Sequence, residues 1–108
     1  MDLRAVIAIV RRDRLERIEE ELQNLGVRGI SVSKVKGYGE YHDFFTRDWM
    51  VESVRLEIFT RKDKVEAIVA VLMKAARTGT PGDGIVVVHP IETFLNIRLG
   101  TEVTPDQG

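Results

Sequence analysis

Two sets of glycines are the residues whose type and spacing could do chemistry. Residues 79–84 read Gly-Thr-Pro-Gly-Asp-Gly, and residues 37–39 read Gly-Tyr-Gly. Glycine exposes backbone N–H groups and permits close approach, so such a run can cradle a phosphate without a side chain. The same residues serve equally well as plain turns, and the pattern leaves both readings open. Asp83 has the wrong charge to grip phosphate. It is expected to accept local N–H groups and fix its loop, or to touch a sugar hydroxyl. A side chain at Gly82 or Gly84 is then expected to harm ligand binding more than folding. No Gly-Lys-Ser/Thr follows either set, which argues against a nucleotide hydrolase. Arg98, near the C-terminal end, is a candidate counter-charge.

Catalytic sets are harder to assemble. The two histidines, His42 and His89, lie far apart and in no metal-ligand spacing. His42 with Asp43 and Asp48 is the one place a metal-binding trimer could use. Ser31 and Ser33 fall inside a strand with no His–Asp pair in view. Asn96 and Arg98, at i and i+2 on a presumed strand, are the only pair a small phosphate-handling enzyme could place around its substrate. The expectation is a binding module with no catalytic residue and no metal, the enzyme and the metal trimer standing as alternatives.

Bulk composition fits that expectation. With 108 residues the chain is expected to form one domain over residues 1–100 and a short tail over 101–108. At 44% hydrophobic it can bury a core. The formal net charge is -1 and no basic block stands out, so nucleic acid is not an expected partner. Strand 85–88 also lacks the adjacent aromatics of an RNA-stacking sheet. Cysteine is absent, which excludes disulfides and thiolate sites and suits a reducing cytoplasm. The apolar run at the N-terminus is too short for a membrane span.

The elements that must position these residues follow from periodicity. Residues 3–10 read as a buried strand. Asp13 with Glu16 forms a capping-box pattern, and Leu15, Ile18, Leu22 and Leu25 make one helical stripe closed by Gly26. Ile30, Val32 and Val35 suggest a second strand. Residues 37–50 lose the pattern and gather Tyr38, Tyr41, Phe44, Phe45 and Trp49, as an exposed loop would if it folded against a partner. Val54, Leu56 and Ile58 mark a third strand. Thr60 with Asp63 suggests the start of a second helix, whose stripe is Val65, Ile68, Val69, Leu72, Met73 and Ala76. Residues 84–90 alternate little and are expected to form a central strand covered on both sides. A last short strand is expected within residues 93–100, and the tail is not expected to order on its own. The order is α+β, ferredoxin-like βαββαβ, with two helices on one face of an antiparallel sheet. Its other face carries β-branched residues that a symmetric oligomer would bury.

"VKGYG", then "KAARTGTPGDG" ahead of a Val/Ile strand, then "IRLG", resembles the PII signal-transduction family, and the likeness runs over nearly the whole chain. The resemblance implies a cytoplasmic homotrimer that binds adenine nucleotides in the clefts between subunits. It also implies a loop after the second strand that controls a membrane transporter or metabolic enzyme, as in nitrogen regulation. Carried over by residue, Gly37, Tyr38 and Gly39 would wrap the phosphates, with Tyr38 in place of a usual Phe. Gly82, Asp83 and Gly84 would surround ribose and phosphate. Ile9, Ser31, Glu57 and Phe59 would lie around the base, and Arg98 would be one of two phosphate-binding arginines. Asn96 stands where the other arginine is usual, and Ile85 where a lysine is. Each lost charged contact should cost about 1.5–3 kcal/mol, so ADP, AMP or cyclic AMP is expected to compete well with ATP. Tyr41 replaces the glutamine that holds Mg²⁺ and 2-oxoglutarate, and Ser53 replaces a lysine that grips the organic acid. The loop is also shorter than usual. These departures suggest a divergent PII-like member, similar to branches linked to bicarbonate or other small metabolites.

Overall fold

The same basic–acidic pattern stands at the start of both helices: Arg11-Arg12-Asp13-Arg14-Leu15-Glu16 and Arg61-Lys62-Asp63-Lys64-Val65-Glu66. A computed structural model, which describes residues 2–35 and 52–105, shows what the pattern does. Strand β1 (Leu3–Arg11) passes through a 3₁₀ turn (Arg12–Arg14) into helix α1 (Leu15–Leu25), and β3 (Ser53–Arg61) passes through a 3₁₀ turn (Lys62–Lys64) into α2 (Val65–Ala76). Neither helix uses a side-chain cap: Arg14 and Lys64 hold the N-cap positions, and backbone bonds to Arg12 and Lys62 close the turns. The expected capping boxes are therefore absent. The tight turn satisfies the donors that Asp13 and Thr60 were expected to serve, and Thr60 is a buried strand residue. Gly26 does end α1, at φ +97°, with the Val27 N–H reaching the Leu22 carbonyl at 3.0 Å.

Strands β2 (Ser31–Val35) and β4 (Gly84–Ile91) complete an antiparallel sheet of order β2-β3-β1-β4. Register fixes its two faces. Val6, Ala8 and Val10 of β1 stand beside Leu56, Val54 and Ile58 of β3 in one core with Ile18, Leu22, Ile68 and Leu72 of the helices. Period-2 alternation then sends Ala5, Ile7 and Ile9 to the opposite face, beside Glu57, Phe59, Ile85 and Val87. This is the ferredoxin-like arrangement the pattern implied.

β4 is not central. Among the described residues it pairs with β1 alone, and Val87 and Val88 are 42% and 41% exposed in the single chain. Its unbroken valines arise because Val86 joins the helix-side core while Ile85 and Val87 belong to the far face. The strand buried on both faces is β1. Beyond β4, β5 (Leu95–Asn96) pairs with β6 (Thr101–Glu102), and the Val103 N–H bonds the Phe94 carbonyl. The first tail residues thus gain order from a hairpin partner.

Candidate functional site

Asp83 organises the loop between α2 and β4. Its Oδ2 accepts the N–H groups of Thr78 and Gly79, both at 2.8 Å. Its Oδ1 accepts Arg11 Nε at 3.1 Å and the Thr78 hydroxyl. Burial pushes the carboxyl up, but bonds from Thr78, Gly79 and Arg11 outweigh it and hold Asp83 well below the usual carboxylate range. The role read for Asp83 as an acceptor of local N–H groups is what the geometry displays. The Thr78 and Gly79 N–H groups are thereby spent on the Asp83 carboxylate. Gly82, buried in the turn that follows, sits at φ +96°.

Gly84 has a different task. At φ +105°, an added Cβ would lie 1.7 Å from the Ile9 carbonyl oxygen. It opens β4 opposite Val10, where the chain passes against the backbone of β1. A side chain at Gly84 would therefore strike strand packing directly, a cost to folding that is present with or without a ligand. The loop, with Val10, Met73, Ile85 and Val86, borders a cavity of 640 Å³.

A second cluster forms across the sheet. Ser31 stands opposite Glu57, which stands opposite Ile7, and Phe59 is opposite Ala5. Arg55 Nη2 donates to Glu57 at 3.0 Å. Ser31, Glu57 and Phe59 border another 640 Å³ cavity together with Arg28, Lys64 and Phe94. The Phe59 and Phe94 rings meet edge-to-face with centroids 5.8 Å apart. Phe94 was missed in the sequence, where it stands among Leu95, Ile97 and Leu99 and nothing sets it apart. Among the described residues the two cavities share no lining residue.

Other expected residues scatter. Ile9 is 8% exposed, held between Arg55 and Ile85. Asn96 and Arg98 do not share a strand face, because β5 ends at Asn96 and Arg98 lies in the turn before β6. The Asn96 amide oxygen accepts the Leu99 N–H at 2.9 Å, so it serves the turn. Arg98 is exposed. The enzyme alternative loses its one pair by this arrangement. Gly37, Tyr38, Gly39, Tyr41, His42, Asp43 and Asp48 lie outside the described residues. Among the described residues no group of three or more His, Cys, Asp or Glu could hold a metal ion, and no helix is long and apolar enough to cross a membrane.

The chain is a ferredoxin-like domain with a carboxylate-fixed glycine loop and a cavity toward each edge of its sheet. Comparison with known proteins gives it a family. The family model described as nitrogen regulatory protein P-II matches residues 3–101, and the chain belongs to that family. It is 37% identical over 103 residues to a nitrogen regulatory protein P-II homolog of Arabidopsis thaliana, covering 88% of this chain and 53% of the relative. A homolog of Oryza sativa subsp. japonica is also 37% identical, with 49% of its length covered. The chain thus spans about half the length of these plant relatives. It is 34% identical to nitrogen regulatory protein P-II of Cereibacter sphaeroides, with 91% of this chain and 94% of that one aligned. Among solved structures, Arabidopsis thaliana PII bound to citrate superposes with a TM-score of 0.76 at 33% identity, covering 94% of this chain and 85% of that one. A B. subtilis GlnK–ATP complex gives 0.78 at 27% identity, with 97% and 94% covered. The description of that family is of a nitrogen regulatory protein.

Proposed function

We propose that this protein is a cytoplasmic PII-type sensor that binds an adenine nucleotide in clefts between three copies and controls a transporter or metabolic enzyme through the segment after β2. The observation that carries this reading is the Asp83 loop, its carboxylate held by the Thr78 and Gly79 N–H groups and by Arg11, with Gly82 at φ +96° in its turn. A loop so fixed, with glycines at 79, 82 and 84, suits the close approach of a phosphate or ribose oxygen. The split site supports the intersubunit location. Ser31, Glu57 and Phe59 border one cavity and Asp83 and Gly84 another, on opposite sides of β1. A single copy does not bring them together, whereas edge strand β4 of one copy packed beside β2 and β3 of the next would. The ATP-bound GlnK structure lends support to an adenine ligand.

Within this reading Ile9, Ser31, Glu57 and Phe59 surround the base, Gly37, Tyr38, Gly39, Gly82, Asp83 and Gly84 the ribose and phosphates, and Arg98 supplies charge. Asn96 is committed to its turn and Ile85 is aliphatic, so the distal phosphates gain less than a fully cationic site would give. ADP, AMP and cyclic AMP accordingly compete with ATP. The segment after β2 is shorter than in other members, and Tyr41 and Ser53 do not favour 2-oxoglutarate; the chain is a divergent member. Titration calorimetry with ATP, ADP, AMP and cyclic AMP, with and without Mg²⁺, 2-oxoglutarate or bicarbonate, tests the reading. Micromolar binding of at least one nucleotide is expected, and heat from none of them would overturn it.

A further inference from the structure

Arg11 is the residue on which the glycine loop closes. It ends β1, next to the Val10 that pairs with Gly84, and its side chain is 13% exposed. Nε donates to Asp83 Oδ1 at 3.1 Å. Nη2 donates to the Thr80 hydroxyl at 3.0 Å and to the Pro81 carbonyl at 2.6 Å. One guanidinium therefore fastens three residues of the loop to the central strand. Arg12 is engaged elsewhere: its N–H and its guanidinium both bond Glu52, at the carbonyl and the carboxylate.

We propose that Arg11 is a positioning residue of the nucleotide site, holding residues 78–83 closed against β1 and cancelling the Asp83 charge beside the phosphates. This rests on the nucleotide reading above. An ionised carboxylate next to a polyphosphate repels it in proportion to the ligand's charge. Paired with Arg11 the carboxylate is neutralised, and its repulsion of the phosphates falls away. The planar fork is what lets one side chain bond Asp83, Thr80 and Pro81 together. Lysine would keep the charge and lose that geometry.

The test uses the full chain and the variants Arg11→Gln, Arg11→Lys and, as control, Arg12→Gln. Amide hydrogen exchange at Thr78 and Gly79 is measured without nucleotide, and calorimetry is run with ATP, ADP and adenosine. Arg11→Gln is expected to speed both amides at least tenfold and to lose at least tenfold more affinity for ATP than for adenosine, with ADP between. Arg11→Lys is expected to exchange fast but to keep more of the ATP affinity, and Arg12→Gln to match the wild type in both assays. Unchanged exchange in Arg11→Gln would overturn the holding role. An equal loss for all three ligands would overturn the neutralising role, since loosened structure alone does not sort ligands by charge. If the wild type binds none of the three, the nucleotide reading fails and takes the neutralising role with it, while the exchange data still decide whether Arg11 holds the loop. Should Arg11→Gln not fold, Arg11→Lys decides, and exchange at the wild-type rate would then overturn the fork.

Discussion

A carboxylate engaged by four donors holds its loop only while it is ionised. Asp83 accepts two backbone N–H groups, a hydroxyl and a guanidinium, and its folded pKa lies below the unfolded value. A depressed folded pKa gives stability that is complete above the unfolded value and is lost as pH falls through the folded one. Asp83→Asn puts an amide donor where only acceptors fit, and is expected to cost about 1–2 kcal/mol at neutral pH, solvent access keeping the figure low. Paired melts should show a constant gap between the two proteins from pH 8 to about pH 5. Below about pH 4, the ordinary aspartate range, the gap should narrow. A gap that widened toward acid would contradict the assignment. Gly84→Ala tests a different cause at the next residue. Its strain at φ +105° and the clash with the Ile9 carbonyl act in the folded chain with or without ligand, so the melting temperature is expected to fall, by roughly 2 kcal/mol or more in stability. Retention of wild-type stability would mean that β4 starts elsewhere.

At the scale of elements, the junction between β1 and α1 also supports the far end of α2. Arg14 Nε donates to the Ala75 carbonyl at 3.1 Å, and Nη2 reaches the Arg77 carbonyl at 3.5 Å. These carbonyls lack helical partners, and a cation beside them also meets the negative end of the helix. Arg14→Ala is expected to lose about 0.5–1.5 kcal/mol in denaturant titration and to speed exchange in the last turn of α2 before any other region. Leu72→Ala, by contrast, should cost about 2–5 kcal/mol, because Leu72 is fully buried between helix and sheet. Core positions such as Leu72 were legible in the sequence because a period of 3.6 or 2 records which side is covered. Hence Ile18, Leu22, Val54, Leu56 and Ile68 fell where the pattern put them. The position of β4 was not legible, since an apolar run looks the same whether a strand has two neighbours or one neighbour and an open face. The helix caps misled for a related reason: Asp13-x-x-Glu16 satisfies a local rule that a 3₁₀ turn had already made unnecessary. At the site, Asp83 was readable from its own chemistry. Arg11 and Phe94 were not, because their partners lie across the sheet or in another segment.

For the whole molecule, the question is what covers the sheet face away from the helices. Ile7, Ile9, Phe59, Ile85 and Val87 lie on it, and Val87 and Phe59 remain 42% and 41% exposed in one copy. A chain this short buries only about 60–70% of its unfolded surface alone, so association on this face would add materially to its stability. A closed ring of copies buries such a face without leaving a sticky end, whereas open association would continue into fibres. If the ring is the proposed trimer, it also brings the Asp83 loop of one copy to the Ser31–Glu57–Phe59 cavity of the next, so assembly and nucleotide binding should fail together. Val87→Glu separates this from a chain that is self-sufficient. The side chain is half in solvent in the single copy, so the glutamate should leave the fold intact by circular dichroism, yet its charge would be buried without a partner at an interface. Sedimentation equilibrium is expected to show a trimer for the wild type and a monomer for Val87→Glu, with nucleotide affinity in the variant reduced at least a hundredfold. A wild-type monomer at micromolar concentration would end the proposal. A monomeric Val87→Glu that still bound nucleotide at full strength would place the site within one chain and remove the intersubunit cleft from the account.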